Sequence, residues 1–461
     1  MVLLTPLRAA LLLATVLRAA VPLAAWSVSE DEAVFRLSDT YSYWLPAEQL
    51  AATGAYESGG EPELLRPPGY PLLLLPGLLL GYPTAVTLFL QLLLGVATVF
   101  FVHRLARALF DDERIANTAA WLFALEPVSI AFCSKLMSET LATFFLTLGV
   151  WLLAEHWRQP RARRMLGAAV ALAAAAFARP IFYYLPVVLF LALLVHALGS
   201  RTGRRAQVAS ACAFLAVAMA PLVAWQVRNQ VRAGYAGFSS FGPYNLYLGV
   251  AASIRATQEG RPFTETTRKM SRALAGGHFE ARASRRSAPS LEATRFMAEE
   301  GWRIFSEAPW LYLRPHLAGI ARLWLHPGLG EYLLLFGQAP GSRRGLTQLA
   351  DEGLGAVLAG QAREHPLELT LNLALGLLLL GTLAFAVLGL WTWRAWRRPG
   401  AWALLLTLVL TTALSGGPFA TSRFRLPMMP LVCVLAAAGL AAGARRRERG
   451  ARAPLPQRSD G

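Results

Sequence analysis

No residue between Gly69 and Val102 carries a charge. A single helix through that run would be roughly 50 Å long, against roughly 30 Å for the hydrocarbon core of a bilayer. One crossing cannot use all of it. Pro71, Pro76, Gly77, Gly81 and Pro83 offer places to break it. The run is read as a re-entrant or interfacial piece over 69–81 followed by a span over 83–103. Further apolar runs lie at about 7–28, 113–133, 139–157, 165–178, 181–198, 206–226, 369–393, 401–415 and 426–443. The expected fold class is therefore all-α: a polytopic helical membrane protein of about ten spans, with a range of ten to twelve. An amphipathic stretch at about 302–325 reads as a helix lying at the interface.

Composition agrees. Of 461 residues, 55% are hydrophobic and only 16% are charged, too few to clothe a soluble surface, which needs about 25%. Cys133, Cys212 and Cys433 are too few for a disulfide framework. A formal charge of +16 in a soluble chain would suggest nucleic acid. Here it has another source. With the N-terminus in the cytoplasm, Arg104, Arg107, Arg114, the group Arg158 to Arg164, the group Arg201 to Arg205, Arg394 to Arg398 and the tail from Arg445 all fall inside, as short-loop arginines should. No nucleic-acid partner is expected. Two long segments then face outward, 29–68 and about 227–368. A cleaved leader ending before Trp26 is the alternative reading of the first run, and it leaves the later topology unchanged. The chain divides into a core of seven spans over 1–235 with outer loops at 29–68 and about 133–139, an outer segment over 236–368, C-terminal spans over 369–444 and a basic cytoplasmic tail over 445–461.

Phosphate loops, dinucleotide fingerprints and His-Glu-x-x-His are absent. What remains is a set of polar residues at the outer face, each with a plainer use beside the functional one. Tyr43, Ala47, Leu50 and Ala51 share one face of a helix after Asp39; Asp39 is either its cap or a reactive carboxylate. The stiff sequence Arg66-Pro67-Pro68-Gly69-Tyr70-Pro71 holds Arg66 and Tyr70 near headgroup level, as an interfacial anchor or as part of a site. Ser138 and Glu139 begin an apolar helix just after Lys135, and an acid there suits the helix dipole. Arg179, Arg228, Arg423 and Arg425 stand in short outer connections or at outer span ends, where arginine is scarce. Their plain partner is a lipid headgroup; the sharper one is a bound phosphate or pyrophosphate. Arg18 interrupts the first run, either snorkelling or functional.

Taken in order, Asp39, Tyr43, Ala47, Gly54 and Tyr56, then Arg66 to Pro71, then Ser138-Glu139, Arg179-Pro180, Arg228-Asn229 and Arg423-Phe424-Arg425-Leu426-Pro427, the chain resembles the bacterial relatives of the dolichyl-phosphate-mannose protein mannosyltransferases. These stand with glycosyltransferase family 39 and the aminoarabinose transferases in the GT-C superfamily. The resemblance covers roughly 1–235 and the last two spans. It implies a GT-C type fold with catalytic outer loops, a sugar donor on a polyprenyl phosphate, and inversion at the anomeric carbon. It assigns Asp39 the place of the catalytic acid. Where many members follow that acid with a second one, this chain has Thr40, which leaves Glu139 as the supplier. Charge stabilisation on a departing phosphate makes Arg66, Arg179, Arg228, Arg423 and Arg425 the candidates for donor-phosphate binding, with Tyr43, Tyr70 and Lys135 as candidates for substrate contact. No cofactor is assigned, although some relatives use a divalent metal; one Asp and one Glu in separate loops make a thin ligand set for such an ion. The expected partners are a polyprenyl-phosphate-sugar donor, a lipid, glycan or protein acceptor, and the bilayer of the cell membrane. Two rival readings remain open: a lipid or polysaccharide flippase, and a polymerase or ligase of another multi-span family. The stretch from Phe241 to Tyr247 is open between acceptor recognition and a solvated loop.

Overall fold

The computed structural model describes residues 5–37, 39–276, 290–338, 362–392 and 399–451. The chain is a helical bundle. Among the described residues, six helices are long and apolar enough to cross a membrane: Pro6–Ser29, Pro83–Phe110, Pro180–Gly199, Arg204–Ala233, Pro366–Thr392 and Ser422–Ala444. The pair Glu113–Ala124 and Pro127–Cys133 adds a seventh if its 55° bend lies within one crossing. The apolar runs pointed to about ten. The other runs form shorter or more charged helices, such as Gly69–Leu80, Ala162–Ala178 and Glu139–Arg158. The last two pack against each other in the main apolar core.

We label the elements that position the site in chain order. Helix α1 is Pro6–Ser29, α2 is Thr40–Thr53, α3 is Gly69–Leu80 and α4 is Pro83–Phe110. The long uncharged run does break, at Gly81 with φ +78°, while Pro71 and Pro76 are carried inside α3. Gly77 lets α3 fold back on α4, since a Cβ there would sit 2.7 Å from Pro83 Cα. Next come α5, Glu113–Ala124, and α6, Pro127–Cys133. The bend between them exposes helix-end carbonyls that a low-dielectric interior cannot leave unpaired. Arg18 of α1 satisfies them: it donates to Ala124 O at 3.1 Å, Phe123 O at 3.3 Å and Ser129 Oγ at 2.7 Å. Its side chain is fully enclosed. It neither snorkels nor reaches the site described below.

Helices α7 (Glu139–Arg158), α8 (Ala162–Ala178), α9 (Leu185–Gly199) and α10 (Arg204–Ala233) complete the first half. A segment of short helices follows: α11 (Phe241–Asn245), α12 (Ala252–Glu259), α13 (Phe263–Gly276), α14 (Leu291–Glu307), α15 (Leu313–Leu325) and α16 (Leu329–Leu335). The single amphipathic helix expected over 302–325 is instead two. Ala308 precedes Pro309 and is pushed out of helical geometry, to φ −150° and ψ 60°. The C-terminal helices are α17 (Pro366–Thr392), α18 (Pro399–Ser415), the short α19 (Ser422–Arg425) and α20 (Met429–Ala451). Gly389 and Gly439 let α17 and α20 meet backbone to backbone, because a Cβ on either would lie 2.0 Å from a carbonyl oxygen of the other helix. The expected boundary at 235 falls just after α10.

Candidate functional site

The start of α2, the start of α7, the end of α8 and the short α19 meet at one end of the bundle. Arg104, Arg107 and Arg158 to Arg164 lie at the other, where Arg158 pairs with Asp111 and Arg164 with Glu155. Asp39 stands at the N-cap position of α2, yet its side chain makes no capping bond. Thr40 takes over the local turn, accepting from Leu37 N at 2.9 Å and donating to Leu136 O at 3.0 Å. Leu136 N in turn donates to Phe35 O at 2.8 Å. The loop after α1 is thus stitched to the turn before α7, and the Asp39 carboxylate is left for another partner.

That partner is Arg423. Its Nη2 donates to Asp39 Oδ2 at 2.7 Å, and its Nε lies 3.2 Å from Glu139 Oε1. Arg179 Nη1 lies 2.9 Å from the same Glu139 oxygen, and Arg66 Nη2 lies 4.0 Å from Asp39 Oδ2. Arg179 and Arg423 both lie over the Phe424 ring, at 5.1 and 5.0 Å. Two carboxylates therefore face three guanidiniums, which leaves the group cationic. Glu139 is fully buried, and neither of its oxygens has a well-aligned hydrogen-bond donor among the described residues. Burial pushes the Asp39 carboxyl up, but the guanidiniums of Arg423, Arg66 and Arg179 outweigh it and hold it below the usual carboxylate range.

Arg66 is placed with care. Glu63 Oε1 accepts from Leu65 N at 2.6 Å and Arg66 N at 2.9 Å, shaping the turn. The guanidinium sits 4.3 Å from the Tyr43 ring centroid and 4.7 Å from that of Phe241, with its Nε donating to Ser42 Oγ at 2.9 Å. Burial raises the Glu63 carboxyl to about 7, against the pull of the two backbone N–H donors. Gly69 allows α3 to press on the end of α8, since a Cβ there would lie 2.5 Å from Phe177 C. This brings Tyr70 beside the group. Its hydroxyl donates to Gln91 Oε1 at 2.9 Å and its ring meets Tyr43 edge-on at 5.0 Å. Tyr43 itself bonds Ser138 Oγ at 3.0 Å.

Three of the residues expected here do other things. Arg228 donates to Glu63 O and Tyr56 O, at 2.8 and 2.7 Å, so it braces the Arg66 turn from behind. Arg425 donates to Leu323 O and His326 O, at 2.8 and 3.0 Å, and points away from Arg423. Lys135 is fully enclosed with Nζ on Glu331. Sequence reasoning passed over Ser42, Glu63, Gln91 and Glu331; it noted Phe241 and Phe424 but gave neither a place beside these arginines. Glu331 had a visible signal, a lone acid in the apolar run Leu329 to Phe336. Among the described residues there is no group of three or more His, Cys, Asp or Glu that could hold a metal ion. The two site carboxylates already face guanidiniums, a poor setting for a divalent cation, which wants several free oxygen ligands.

Residues 66–225 match the family described as dolichyl-phosphate-mannose-protein mannosyltransferase. A comparison with the curated proteins finds no significant match. Among solved structures, the archaeal oligosaccharyltransferase AglB from Archaeoglobus fulgidus, in complex with an inhibitory peptide and a dolichol-phosphate, aligns at 14% identity and a TM-score of 0.47 over 98% of this chain and 52% of that one. The chain thus spans about half the length of AglB. ArnT from Cupriavidus metallidurans, bound to undecaprenyl phosphate, aligns at 16% identity and a TM-score of 0.38 over 96% of this chain and 81% of that one. The family segment contains Arg66, Lys135, Glu139 and Arg179. The chain is a multi-pass helical membrane protein that, over this segment, resembles the dolichyl-phosphate-mannose-protein mannosyltransferases.

Proposed function

We propose that the protein is a membrane glycosyltransferase. It moves a sugar from a polyprenyl-phosphate carrier to an acceptor hydroxyl, at the outward face of the cell membrane and with inversion. The observation that carries this reading is the Asp39 carboxylate: it sits at a helix cap but ignores it, and instead pairs with Arg423, which also reaches the buried Glu139. Capping alone would not need Arg423.

The chemistry follows from the charges. The leaving group is a lipid phosphate, and a cationic cluster stabilises it as the bond to the anomeric carbon breaks. Arg423, Arg179 and Arg66 are the donors for its oxygens. Asp39, ionised at neutral pH, takes the proton of the acceptor hydroxyl as the new carbon–oxygen bond forms. Attack opposite the departing phosphate inverts the configuration. Glu139 holds Arg179 and Arg423 in place and offers a second acceptor for the incoming hydroxyl. A donor with its tail in the bilayer carries its phosphate at headgroup level, where a site at the bundle end would meet it. The arginine-rich opposite end belongs in the cytoplasm by the positive-inside rule, which makes the site outward-facing.

The test uses a strain lacking the gene. Mass spectrometry of its envelope glycans and glycoproteins identifies the modification that disappears. Wild type is expected to restore it and Asp39→Asn to leave it missing, with the variant still present in the membrane. Restoration by Asp39→Asn would refute the assignment. A flippase, which transfers no proton, would instead tolerate that change, deliver the carrier and restore the modification.

A further inference from the structure

The two sides of the charged group come from distant parts of the chain. Asp39 and Glu139 are stitched together through Thr40, Leu136 and Phe35. Arg423 arrives from the start of the last span. The ion pairs that join the two sides are the ones a bound phosphate would compete for. A link that survives binding must lie elsewhere.

Glu331 on α16 provides one. Its Oε2 meets Lys135 Nζ, four residues before Glu139, and its Oε1 accepts from Ser422 Oγ at 3.3 Å, one residue before Arg423. Lys135 and Ser422 are fully enclosed, and the Glu331 side chain is 15% exposed. His326 also faces Glu331, and burial lowers its pKa despite that carboxylate. The helix that carries Glu331 is itself firmly seated. Tyr332 donates to Pro127 O at 2.6 Å, and Leu335 packs with Phe35, Ala131 and Leu136. Gly328 takes φ +96° at its start, against Val128, where only glycine fits without strain. Just before it, Arg425 holds the carbonyls of Leu323 and His326.

We infer that Glu331 is a positioning residue for transfer: one carboxylate from the segment after α10 grips Lys135 and Ser422 together, and so fixes Arg423 against the Asp39 and Glu139 side while the phosphate is bound. Lys135 is then part of this clamp and does not touch substrate. The inference rests on the glycosyltransferase reading above.

The test measures binding of undecaprenyl phosphate to the purified full chain, alongside glycan restoration in the deletion strain. Glu331→Gln leaves Lys135 as an unpaired buried cation and can unfold the protein, so a second variant, Lys135→Met with Glu331→Leu, removes both charges. Replacing a buried pair by apolar side chains is commonly tolerated by the fold. This double variant is expected to melt near wild type, yet to lose roughly 10- to 100-fold in transfer, the scale of a displacement of about 1 Å at a reacting group. Its affinity for undecaprenyl phosphate should fall as well. Tyr332→Phe, which loosens the same helix without touching the clamp, should bind and transfer as wild type. The inference is overturned if the folded double variant binds and transfers normally, or if Tyr332→Phe loses as much. If instead Asp39→Asn restores the glycan, the transferase reading itself fails, and this inference with it.

Discussion

Asp39→Asn should do two opposite things. Transfer should vanish, because the amide cannot take a proton from the acceptor. Binding of the bare carrier phosphate should strengthen, because the carboxylate and the phosphate compete for Arg423. The geometry sets the size. Opposite charges 2.7 Å apart, the Asp39 to Arg423 distance, attract by about 1.5 kcal/mol at the dielectric of water and about 6 kcal/mol at an effective value of 20. The Asp39 side chain is 35% exposed, so solvent screening and the loss of rotamer freedom remove most of the larger figure. A net of about 1 kcal/mol is the reasonable scale for such a pair. Freed from it, Arg423 should bind undecaprenyl phosphate roughly fivefold more tightly. Calorimetric titration of purified wild type and variant in detergent at pH 7.5 reads this directly. Arg423→Ala serves as the opposite control and should weaken binding. A residue that merely holds the loop together would lower binding and transfer in parallel. Weaker binding of undecaprenyl phosphate by Asp39→Asn would therefore refute the competition argument, even with transfer lost.

The Asp39 pKa is depressed by its arginines, so the carboxylate stays ionised, and the pair's contribution stays intact, until the pH falls below the ordinary Asp range near 4. The acid limb of transfer should lie there, and it should move to higher pH in Arg66→Gln, where burial is less opposed; an unmoved limb counts against the arrangement. Glu63 runs the other way. Its raised pKa of about 7 means that its folded-state preference for the proton is fully felt below pH 4.5 and is lost as pH rises through 7. Glu63→Gln should accordingly gain melting temperature relative to wild type at pH 8 but not at pH 5, and parallel curves would contradict this. Arg18→Met strands the carbonyls of Phe123 and Ala124 and should cost about 3 kcal/mol or more of stability, read as a large drop in melting temperature. Gly69→Ala forces a Cβ to within 2.5 Å of Phe177 C; it should lower the melting temperature and disturb Tyr70, whereas Gly54→Ala, with open space around it, should act only through its φ of +75°.

The bundle was legible because bilayer physics writes it into composition. Apolar runs need no partner to be recognised, and the break at Gly81 and the bend before Pro127 sit at residues with local reasons to be there. The helix count was less legible. A run of apolar residues reads the same whether the helix meets lipid or other helices, and Glu139–Arg158 with Ala162–Ala178 meets mainly helices. Single residues around the site were legible as types in the right place: Asp39, Glu139, Arg66, Arg179 and Arg423 all stood out against their surroundings. Their pairings were not, since Asp39 and Arg423 lie 384 positions apart. Arg228 and Arg425 show the cost of that gap. Both looked like phosphate ligands, and both hold carbonyls instead.

The arginines divide by what their donors meet. A guanidinium has five donors in a fixed fork, enough to satisfy two or three carbonyls at a break in the fold. In a low-dielectric setting those carbonyls must be paired. Arg18, Arg228 and Arg425 spend their donors in this way, each on two backbone oxygens. Arg66, Arg179 and Arg423 face carboxylates and aromatic rings, partners that attract the charge but leave donor directions open. Arg179 Nη1 and Arg423 Nε, like Arg18 Nε and Arg425 Nε, have no aligned acceptor among the described residues, but only the first two lie together, on either side of Glu139 Oε1. A buried guanidinium with unused donors is costly unless something else completes it. An anion with several oxygens, held between them, completes both at once. The neighbours each arginine already has, more than its place in the topology, separate the proposed phosphate ligands from the braces.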